Sequence, residues 1–256
     1  KIMGRWDLQQ KRAVVTGGSK GTGRAIVREL LDLGAEVLFT GRDEVDLQAA
    51  LHEFRSRSAG VHVLAGDVRD PEHRNAISAW VKQHWHTLDI LVNSAGINIR
   101  KASSEYTTEE YSRVLEVNLV APFELSRRLF PLLEGGGQSA VINVASVAGT
   151  FDAQTGAPYG MSKAGLVQLS RNLAKEWADA NVRVNSVSPW FTETPMIAKL
   201  LADPQKRSVI LSRTPMGRVA KVEEVAAAVA FLAMDAASFI TGQNLTVDGG
   251  ATVSIL

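Results

Sequence analysis

The 256-residue chain is 45% hydrophobic and carries 28 basic against 27 acidic residues, for a net charge of +1. Such a balance gives no electrostatic case for binding nucleic acid or an anionic membrane. The chain contains no cysteine, which excludes disulfides, thiolate nucleophiles and cysteine-based metal sites.

No stretch of the chain looks like a linker between domains or a segment that enters a membrane. The length and apolar content suffice for one substantial core, so we predict a single domain over residues 1–256. No apolar run approaches the ~20 residues that a bilayer span requires, and Lys1 to Gln10 lacks the apolar core of a secretory signal. We therefore expect a cytoplasmic protein. The five histidines show no metal-ligand spacing, so we expect no metal.

Short runs rich in Val and Ile alternate with helical patterns along the chain. The runs predict strands at about 13–16, 36–40, 61–65, 90–93, 140–145, 182–187 and 245–247, and helices lie between them at about 21–33, 43–56, 71–85, 108–133, 158–178 and 222–234. This alternation is typical of parallel strands joined by crossover helices. We predict an α/β fold, a doubly wound, Rossmann-type sheet of seven parallel strands with helices on both faces. Ligands bind such sheets outside the carboxyl ends of the strands, where Gly17, Asp67, Asn93, Ser146 and Pro189 fall.

A glycine-rich turn, Thr16-Gly17-Gly18-Ser19-Lys20-Gly21-Thr22-Gly23, joins the first strand to the first helix. Glycines let the backbone approach a pyrophosphate, whose charge is favoured by the amides and dipole of the helix N-terminus. An ordinary strand-to-helix turn stays an alternative, although the position after the first strand favours a dinucleotide. A kinase- or GTPase-type phosphate loop is disfavoured, because Lys20 is followed by Gly21 rather than Ser or Thr.

The end of the second strand indicates which dinucleotide is preferred. An NAD site expects a carboxylate there, but the sequence reads Thr40-Gly41-Arg42. Arg42 can pair with a 2′-phosphate, and Lys20 could reach the same group from the glycine turn. Asp43 is counter-evidence, but it lies one position late and is more simply the N-cap of the next helix. NADP(H) is therefore the predicted cofactor.

Tyr159 and Lys163 stand four residues apart in a helical pattern and so share one helix face. A phenol ordinarily loses its proton near pH ~10, so acid–base work at neutral pH needs ~4 kcal/mol of help. An ammonium ~5 Å away supplies ~3 kcal/mol at an effective dielectric of ~20. A surface Tyr beside a solvated Lys is the alternative; Ser146 and Asn118 upstream favour the acid–base interpretation.

Four motifs occur in order along the chain: the glycine turn, Asn93-Ser94-Ala95-Gly96, Ser146, and the Tyr159/Lys163 pair. In that order and spacing the sequence resembles the short-chain dehydrogenase/reductase family, over about Asp7 to Gly250. Within the family, Trp6-Asp7-Leu8, Gly18-Ser19-Lys20 and Pro189-Trp190 look most like tropinone reductase-like enzymes. The resemblance implies an NADPH-dependent carbonyl reductase, reversible as an alcohol dehydrogenase.

The resemblance also implies a role for each matching catalytic residue. Tyr159 would protonate the carbonyl oxygen as hydride arrives from the nicotinamide, and Ser146 would hydrogen-bond the same oxygen. Lys163 would lower the pKa of Tyr159 and bind the nicotinamide ribose. Asn118 would hold a water that links Lys163 to solvent, with hydrogen bonding inside its own helix as the alternative.

The implied cofactor-binding residues are spread over the ends of the strands. Asp67 and Val68 would face the adenine, and Thr192 and Thr194 would meet the nicotinamide carboxamide. The full set is Gly17, Ser19, Lys20, Gly21, Thr22, Gly23, Arg42, Asp67, Val68, Asn93, Ala95, Gly96, Tyr159, Lys163, Pro189, Thr192 and Thr194.

Apolar side chains cluster on the two segments expected to flank the nicotinamide, and they predict a pocket for a medium-sized, mostly apolar ketone, with a tropinone-like compound as one candidate. The predicted substrate-binding residues are Ser146, Val147, Tyr159, Trp190, Phe191 and Met196, with Phe151, Ile197 and Leu200 nearby. Core packing is the alternative for Phe151 and Leu200. Glu193 either meets a cationic amine or is a solvated loop carboxylate. Residues of about 190–214 are predicted to form a short helical lid.

Three positions depart from the usual family pattern. Ser94 replaces an Asn, Trp190 replaces the Gly that commonly follows the proline, and Met161 stands where Ala is frequent. None of them touches the predicted acid, so the chemistry is expected to survive while the pocket shape changes.

Two other functions stay open from the sequence. One is a non-catalytic NADPH-binding sensor, and the other is a dinucleotide-dependent epimerase or dehydratase, whose chemistry usually needs an extended C-terminal portion. For assembly, the resemblance implies a homotetramer or dimer that pairs through the helices at about 108–133 and 158–178, with Val253 to Leu256 as a further contact.

Overall fold

The computed structural model describes residues 3–253, and within them a single sheet has the order β3-β2-β1-β4-β5-β6-β7. All neighbouring strands pair in parallel. The strands are β1 Arg12–Thr16, β2 Glu36–Gly41, β3 Val61–Ala65, β4 Ile90–Asn93, β5 Ser139–Val144, β6 Val182–Pro189 and β7 Asn244–Val247. The predicted doubly wound α/β fold is confirmed.

Helices connect these strands and cover both faces of the sheet. They are α1 Gly21–Asp32, α2 Glu44–Arg55, α3 Pro71–His84, α4 Thr108–Leu115, α5 Ala121–Glu134, α6 Ala157–Glu176, α7 Ala198–Leu201, α8 Pro204–Ser212 and α9 Val222–Ala233. Several begin with the expected cap: the Asp43 carboxylate accepts a hydrogen bond from the Asp46 amide at 3.0 Å and begins α2.

The helix predicted at 108–133 is not one continuous α-helix. A π-helical stretch, Glu116–Val120, separates α4 from α5, and Asn118 lies in its middle. A π-helical turn inserts an extra residue into the helix and is often found at functional sites. It rotates the side chains that follow, so a regular 3.6-residue pattern drawn through this segment places them wrongly.

Two apolar layers, one on each face, hold the sheet between the helices. Successive side chains of a strand point to opposite faces, so Val15 packs with Ile26 of α1 and Val229 of α9, while Val14 packs with Leu129 of α5. Because helices cover both faces of the sheet, the strands are accessible to a ligand only at their ends.

The segment predicted as a lid contains the short helices α7 and α8. Among residues 3–253, none of the helices is both long enough and apolar enough to cross a membrane. Of the predicted subunit contact at Val253 to Leu256, residues 254–256 lie outside the described part of the chain.

Candidate active site

A cleft of about 710 Å³ opens at the carboxyl ends of the strands, a volume within the range of ligand pockets. It begins at the glycine turn after β1 and ends beside α6. Most of the predicted site residues line it: Gly17, Ser19, Lys20, Gly21, Thr22, Gly23, Arg42, Asp67, Val68, Ala95, Gly96, Ser146, Val147, Tyr159, Lys163, Pro189, Trp190, Phe191, Thr192, Thr194 and Met196. Two predicted residues, Asn93 and Asn118, do not.

Asn93 is a structural residue at the end of β4. Its side chain is 3% exposed, and its amide group donates to Ser126 Oγ at 3.1 Å and to Asn143 Oδ1 at 2.8 Å. The structure thus does not bring this side chain to the cleft, although the sequence predicted Asn93 among the cofactor-binding residues. The side chain points into the interior, where it ties β4 to β5 and α5.

Asn118 is fully buried and holds the loop that follows β4. Its Oδ1 accepts from the Ile97 amide at 2.9 Å, and its Nδ2 donates to the Ile97 carbonyl at 2.9 Å and to Ser162 Oγ at 3.1 Å. The alternative of hydrogen bonding within its own helix is therefore wrong. Both amide protons are engaged, so a water placed between Asn118 and Lys163 would have to be held through an oxygen of Asn118.

The glycine turn presents backbone donors to the cleft. Gly17 has φ +70°, and a Cβ there would lie 2.8 Å from the Ala95 Cα, so only glycine lets the two loops approach this closely. Lys20 is the N-cap of α1 and makes no side-chain cap bond. Within residues 3–253 the amides of Gly21 and Thr22 have no acceptor, which is the arrangement that binds a phosphate anion.

Both cations predicted for a 2′-phosphate line the cleft, and each faces a carboxylate. Lys20 forms an ion pair with Asp46, a residue that sequence reasoning missed. Arg42 Nη1 lies 3.9 Å from Asp67 Oδ2. Asp67 is held mainly by Arg69, whose Nη2 is 2.9 Å away. Burial would raise the pKa of Asp67, but hydrogen bonds from Arg69 outweigh it and the pKa is lowered.

A short 3-10 turn, Val147–Gly149, brings Ser146 to the start of α6. Gly149 lies directly on the backbone of that helix, because a Cβ there would be 2.7 Å from the Lys163 carbonyl carbon and 2.8 Å from the Ala164 nitrogen. Ser146 Oγ accepts from the Ala148 amide at 3.2 Å, and its hydroxyl lies close enough to the Tyr159 phenol to act on the pKa of that group. Close packing of this turn therefore brings the two hydroxyls together.

Lys163 is 5% exposed, and its Nζ donates to the Val144 carbonyl at 2.8 Å. The same Nζ lies 5.7 Å from the centre of the Tyr159 ring. Burial disfavours the ammonium and lowers its pKa to about 8. The predicted Tyr–Lys pair is thus present, with the lysine fixed by the last residue of β5.

The Tyr159 phenol differs from the sequence-based expectation. Burial raises its pKa above the ordinary 10.0, and the nearby Ser146 hydroxyl and the Arg100 charge act in the opposite direction without cancelling it. Lys163 is not the group that lowers this pKa here. Its Nζ is held beside the ring by the Val144 carbonyl, and burial weakens its own charge.

Aromatic side chains form the wall of the cleft near Tyr159. The Trp190 and Phe191 rings meet edge to face with centroids 4.7 Å apart, and Trp190 Nε1 donates to Thr214 Oγ1 at 3.0 Å. Ile197, also expected there, lines the cleft. Phe151, Met161, Glu193 and Leu200 do not line it; Glu193 is exposed and lies near Arg218.

Other lining residues had no signal in the sequence. Arg100 lies in the loop after β4, with its Cζ 6.0 Å from the centre of the Phe191 ring. A basic residue in an irregular loop has no spacing that ties it to a site, so only the folded path of the loop could find it. The same holds for Ile97, Asn98, Ala153 and Thr155. Within residues 3–253 no group of three His, Asp or Glu side chains could hold a metal ion.

Comparisons with known proteins agree with this geometry. The sequence profile of a family described as Enoyl-(Acyl carrier protein) reductase matches residues 17–252. A tropinone reductase homolog of Arabidopsis thaliana is 45% identical over 252 residues, covering 98% of this chain and 93% of the relative. The structure of a gluconate 5-dehydrogenase from Burkholderia cenocepacia J2315 in complex with NADP and tartrate is 28% identical, with 100% of both chains covered and a TM-score of 0.94. A short-chain type dehydrogenase/reductase from Mycobacterium marinum is 28% identical, with 99% and 100% covered and a TM-score of 0.93.

The fold, the glycine turn and the Ser-Tyr-Lys group at the far end of the cleft are those of a nicotinamide-dependent oxidoreductase. With a family profile matched over most of its length and curated relatives above 40% identity, the chain belongs to the short-chain dehydrogenase/reductase family.

Gly149→Ala should reduce turnover more than cofactor binding. The new Cβ would collide with the α6 backbone, so the Ser146 turn must shift, at a cost of about 1–3 kcal/mol. We expect kcat to fall about tenfold or more while the dissociation constant for NADPH, measured by fluorescence titration, stays near the wild-type value. Thr150→Ala, an exposed change at the end of the same turn, is the control. An unchanged kcat in Gly149→Ala would show that the close approach is unimportant.

Lys163→Met should alter the pH dependence of stability. The folded pKa of Lys163, about 8, lies below the ordinary 10.5, so between these values the unfolded chain binds more protons. The free energy of unfolding of the wild type therefore rises with pH in this window, by at most about 1.4 kcal/mol per unit. Urea unfolding at several pH values should show this rise in the free energy of unfolding for the wild type and for the exposed control Lys175→Met, but not for Lys163→Met. Parallel profiles for all three proteins would contradict the lowered pKa.

Proposed function

We propose that the protein is an NADPH-dependent carbonyl reductase, reversible as an alcohol dehydrogenase, that transfers hydride between NADP(H) and a medium-sized ketone. The observation that carries the proposal is the meeting of Ser146, Tyr159 and Lys163 at one end of the cleft whose other end is the glycine turn. The relatives support it by their names, since one is a tropinone reductase homolog and another structure contains NADP and tartrate.

The residues of the cleft fit a nicotinamide dinucleotide. The unpaired amides at the start of α1 suit its diphosphate, and two protons of the Lys163 ammonium remain for ribose hydroxyls beyond the one given to Val144. Gly96 lines the cleft beside Lys163, where even a Cβ would meet Asn118 Oδ1 and Lys163 Nζ only at ordinary contact distances of 3.5 and 3.7 Å. When bound, the cofactor supplies or accepts the hydride.

Tyr159 is the proposed acid. Its raised pKa keeps the phenol protonated at neutral pH, which is the form needed to give a proton to the carbonyl oxygen during reduction. Ser146, which lies beside the phenol in the same cleft, is placed to donate to the same oxygen and to stabilise the charge that develops on it. In the reverse direction the phenol must first lose its proton, which its raised pKa makes less favourable at neutral pH.

The substrate is proposed to lie against the wall formed by Val147, Trp190, Phe191 and Met196. A tropinone-like ketone belongs among the first compounds to test, because of the names of the Arabidopsis thaliana relatives. We further propose that residues of about 190–214 act as a lid within one cofactor-binding and catalytic domain, since Trp190 is hydrogen-bonded to Thr214 at the end of that segment.

Assembly and location remain proposals of their own. A homotetramer or dimer is proposed from the family resemblance, with α4, α5 and α6 as the contact helices. A cytoplasmic location is proposed from the sequence alone, and the name of one relative states that it is chloroplastic.

Tyr159→Phe should abolish ketone reduction. The ring and its packing stay while the transferable proton is lost, so kcat for a panel of cyclic and aromatic ketones should fall by about 10²–10⁴, followed as NADPH oxidation by absorbance. NADPH binding, measured by fluorescence titration, should be retained. Equal rates in the wild type and the variant would show that Tyr159 is not the acid. A wild type that binds NADPH but reduces no ketone would favour the non-catalytic sensor.

Arg42→Ala should weaken the binding of NADPH much more than the binding of NADH. The guanidinium is the proposed partner of the 2′-phosphate, which NADH lacks, and a charge-assisted pair of this kind is worth about tenfold or more in affinity. We expect KM for NADPH to rise by that factor and KM for NADH to stay unchanged. Arg55→Ala, at the exposed end of α2, is the matched control. Similar shifts for both cofactors would remove the case for NADPH preference.

A further inference from the structure

One cation of the cleft is not explained by the proposed chemistry. Arg100 lines the cleft on the side of Phe191, with its Cζ 6.0 Å from the ring centre. It is close enough to Tyr159 for its charge to act on the phenol. Within the described residues 3–253, its guanidinium makes no ion pair and no hydrogen bond.

The next residue shows that this is not a general property of the loop. Lys101 forms an ion pair with Glu110, and its Nζ lies 5.4 Å from the centre of the Tyr106 ring. Lys101 does not line the cleft. Two adjacent basic residues thus differ: Lys101 is paired on the protein, while Arg100 is exposed, lines the cleft and has no partner among residues 3–253.

The carboxylates of the cleft are all at its other end. Asp43, Asp46 and Asp67 line it near the glycine turn, where they face Lys20 and Arg42. Around Tyr159 the charged lining residues are Arg100 and Lys163, and no lining residue there is acidic. The catalytic end is therefore electropositive, and apolar walls strengthen that field.

We propose that the substrate carries a carboxylate, which Arg100 binds while the ketone oxygen lies between Ser146 and Tyr159. This inference rests on the proposed reductase function and names its substrate class, an oxo acid reduced to a hydroxy acid. The carboxylate is bound and not transformed: one hydride and the Tyr159 proton are added across the ketone, as for any other substrate of the site.

The chemistry of the group favours a carboxylate over the alternatives. A guanidinium presents parallel N–H donors that match the two oxygens of a carboxylate, and that of Arg100 lies over the Phe191 ring at 6.0 Å from its centre. A single unpaired arginine balances one negative charge, whereas a phosphate monoester would bring close to two. A protonated amine would be repelled by Arg100, and Glu193, the residue considered for it, does not line the cleft. The proposal thus adds one charged group to the medium-sized, mostly apolar ketone that the sequence predicts.

The test compares each oxo acid with its own methyl ester. With 4-oxopentanoate, 5-oxohexanoate and 6-oxoheptanoate and their esters, wild-type kcat/KM should be about tenfold or more higher for at least one acid than for its ester. Arg100→Gln should remove that preference, mainly by raising KM for the acid, so that acid and ester are reduced with similar kcat/KM. Arg100→Lys should retain part of the preference for the acid, because lysine keeps the positive charge but lacks the two parallel N–H donors of a guanidinium. Lys101→Gln should behave as wild type.

The outcomes separate this proposal from the function on which it rests. If the esters or tropinone are reduced at least as well as every acid, or if Arg100→Gln slows acid and ester equally, the carboxylate site is wrong and the reductase stands. If neither the acids nor the esters are reduced although NADPH binds, the proposed reductase function is wrong, and the proposed substrate class is rejected together with it. NADPH titration of each variant verifies that the fold is retained. Added salt should raise KM for the acid alone, since it screens the ion pair.

Discussion

The catalytic end of the cleft depends on a close contact between the turn that follows β5 and the backbone of α6. Gly149 has no room for a Cβ against Lys163 and Ala164, and from the other side the Lys163 ammonium reaches the Val144 carbonyl at 2.8 Å. These two contacts clamp the strand end that carries Ser146 to the helix that carries Tyr159. The hydroxyls meet because backbone packing leaves them little freedom, which is the preorganisation that acid catalysis requires.

Charge is distributed unevenly along the cleft, and burial adds to the effect. At the glycine turn each cation faces a carboxylate, as Lys20 faces Asp46, so a phosphate must compete with the protein for them. At the other end Lys163 is buried and Arg100 is unpaired within the described residues. An anion entering there meets cations without first displacing an acidic side chain. The two ends would therefore bind anions by different means. At the glycine turn a phosphate replaces a carboxylate as the partner of a cation, and at the catalytic end the anion is attracted directly.

The parts of the fold that follow local rules could be predicted from the sequence. Strand and helix bounds agree within a few residues, because apolar periodicity, glycine turns and caps such as Asp43 act locally. The π-helical stretch around Asn118 could not be predicted, because it has no periodic signature of its own. Asn93 ends a strand, as a ligand-binding residue often does, yet only the neighbouring strands show that it points inward to Asn143.

The candidate site was predictable where several motifs constrain one another, as with Ser146, Tyr159 and Lys163. Residues that reach the cleft through tertiary structure alone were missed. Asp46 looks like any first-turn acid of a helix, and Arg100 like any loop cation. The pKa of Tyr159 was also out of reach, because a four-residue spacing fixes the helix face but says nothing of burial or of the carbonyl that holds Lys163.

The hydrogen bond from the Trp190 indole to Thr214 joins two features that are usually considered separately. The ring lines the cleft, while Thr214 lies just after α8 and itself donates to the Ile210 carbonyl at 2.7 Å. A smaller residue at position 190 would widen the cleft and remove the hydrogen bond to Thr214 in one step. If the segment acts as the proposed lid, breadth of substrate choice and speed of product escape would change together at this position, so selection could not tune one without the other.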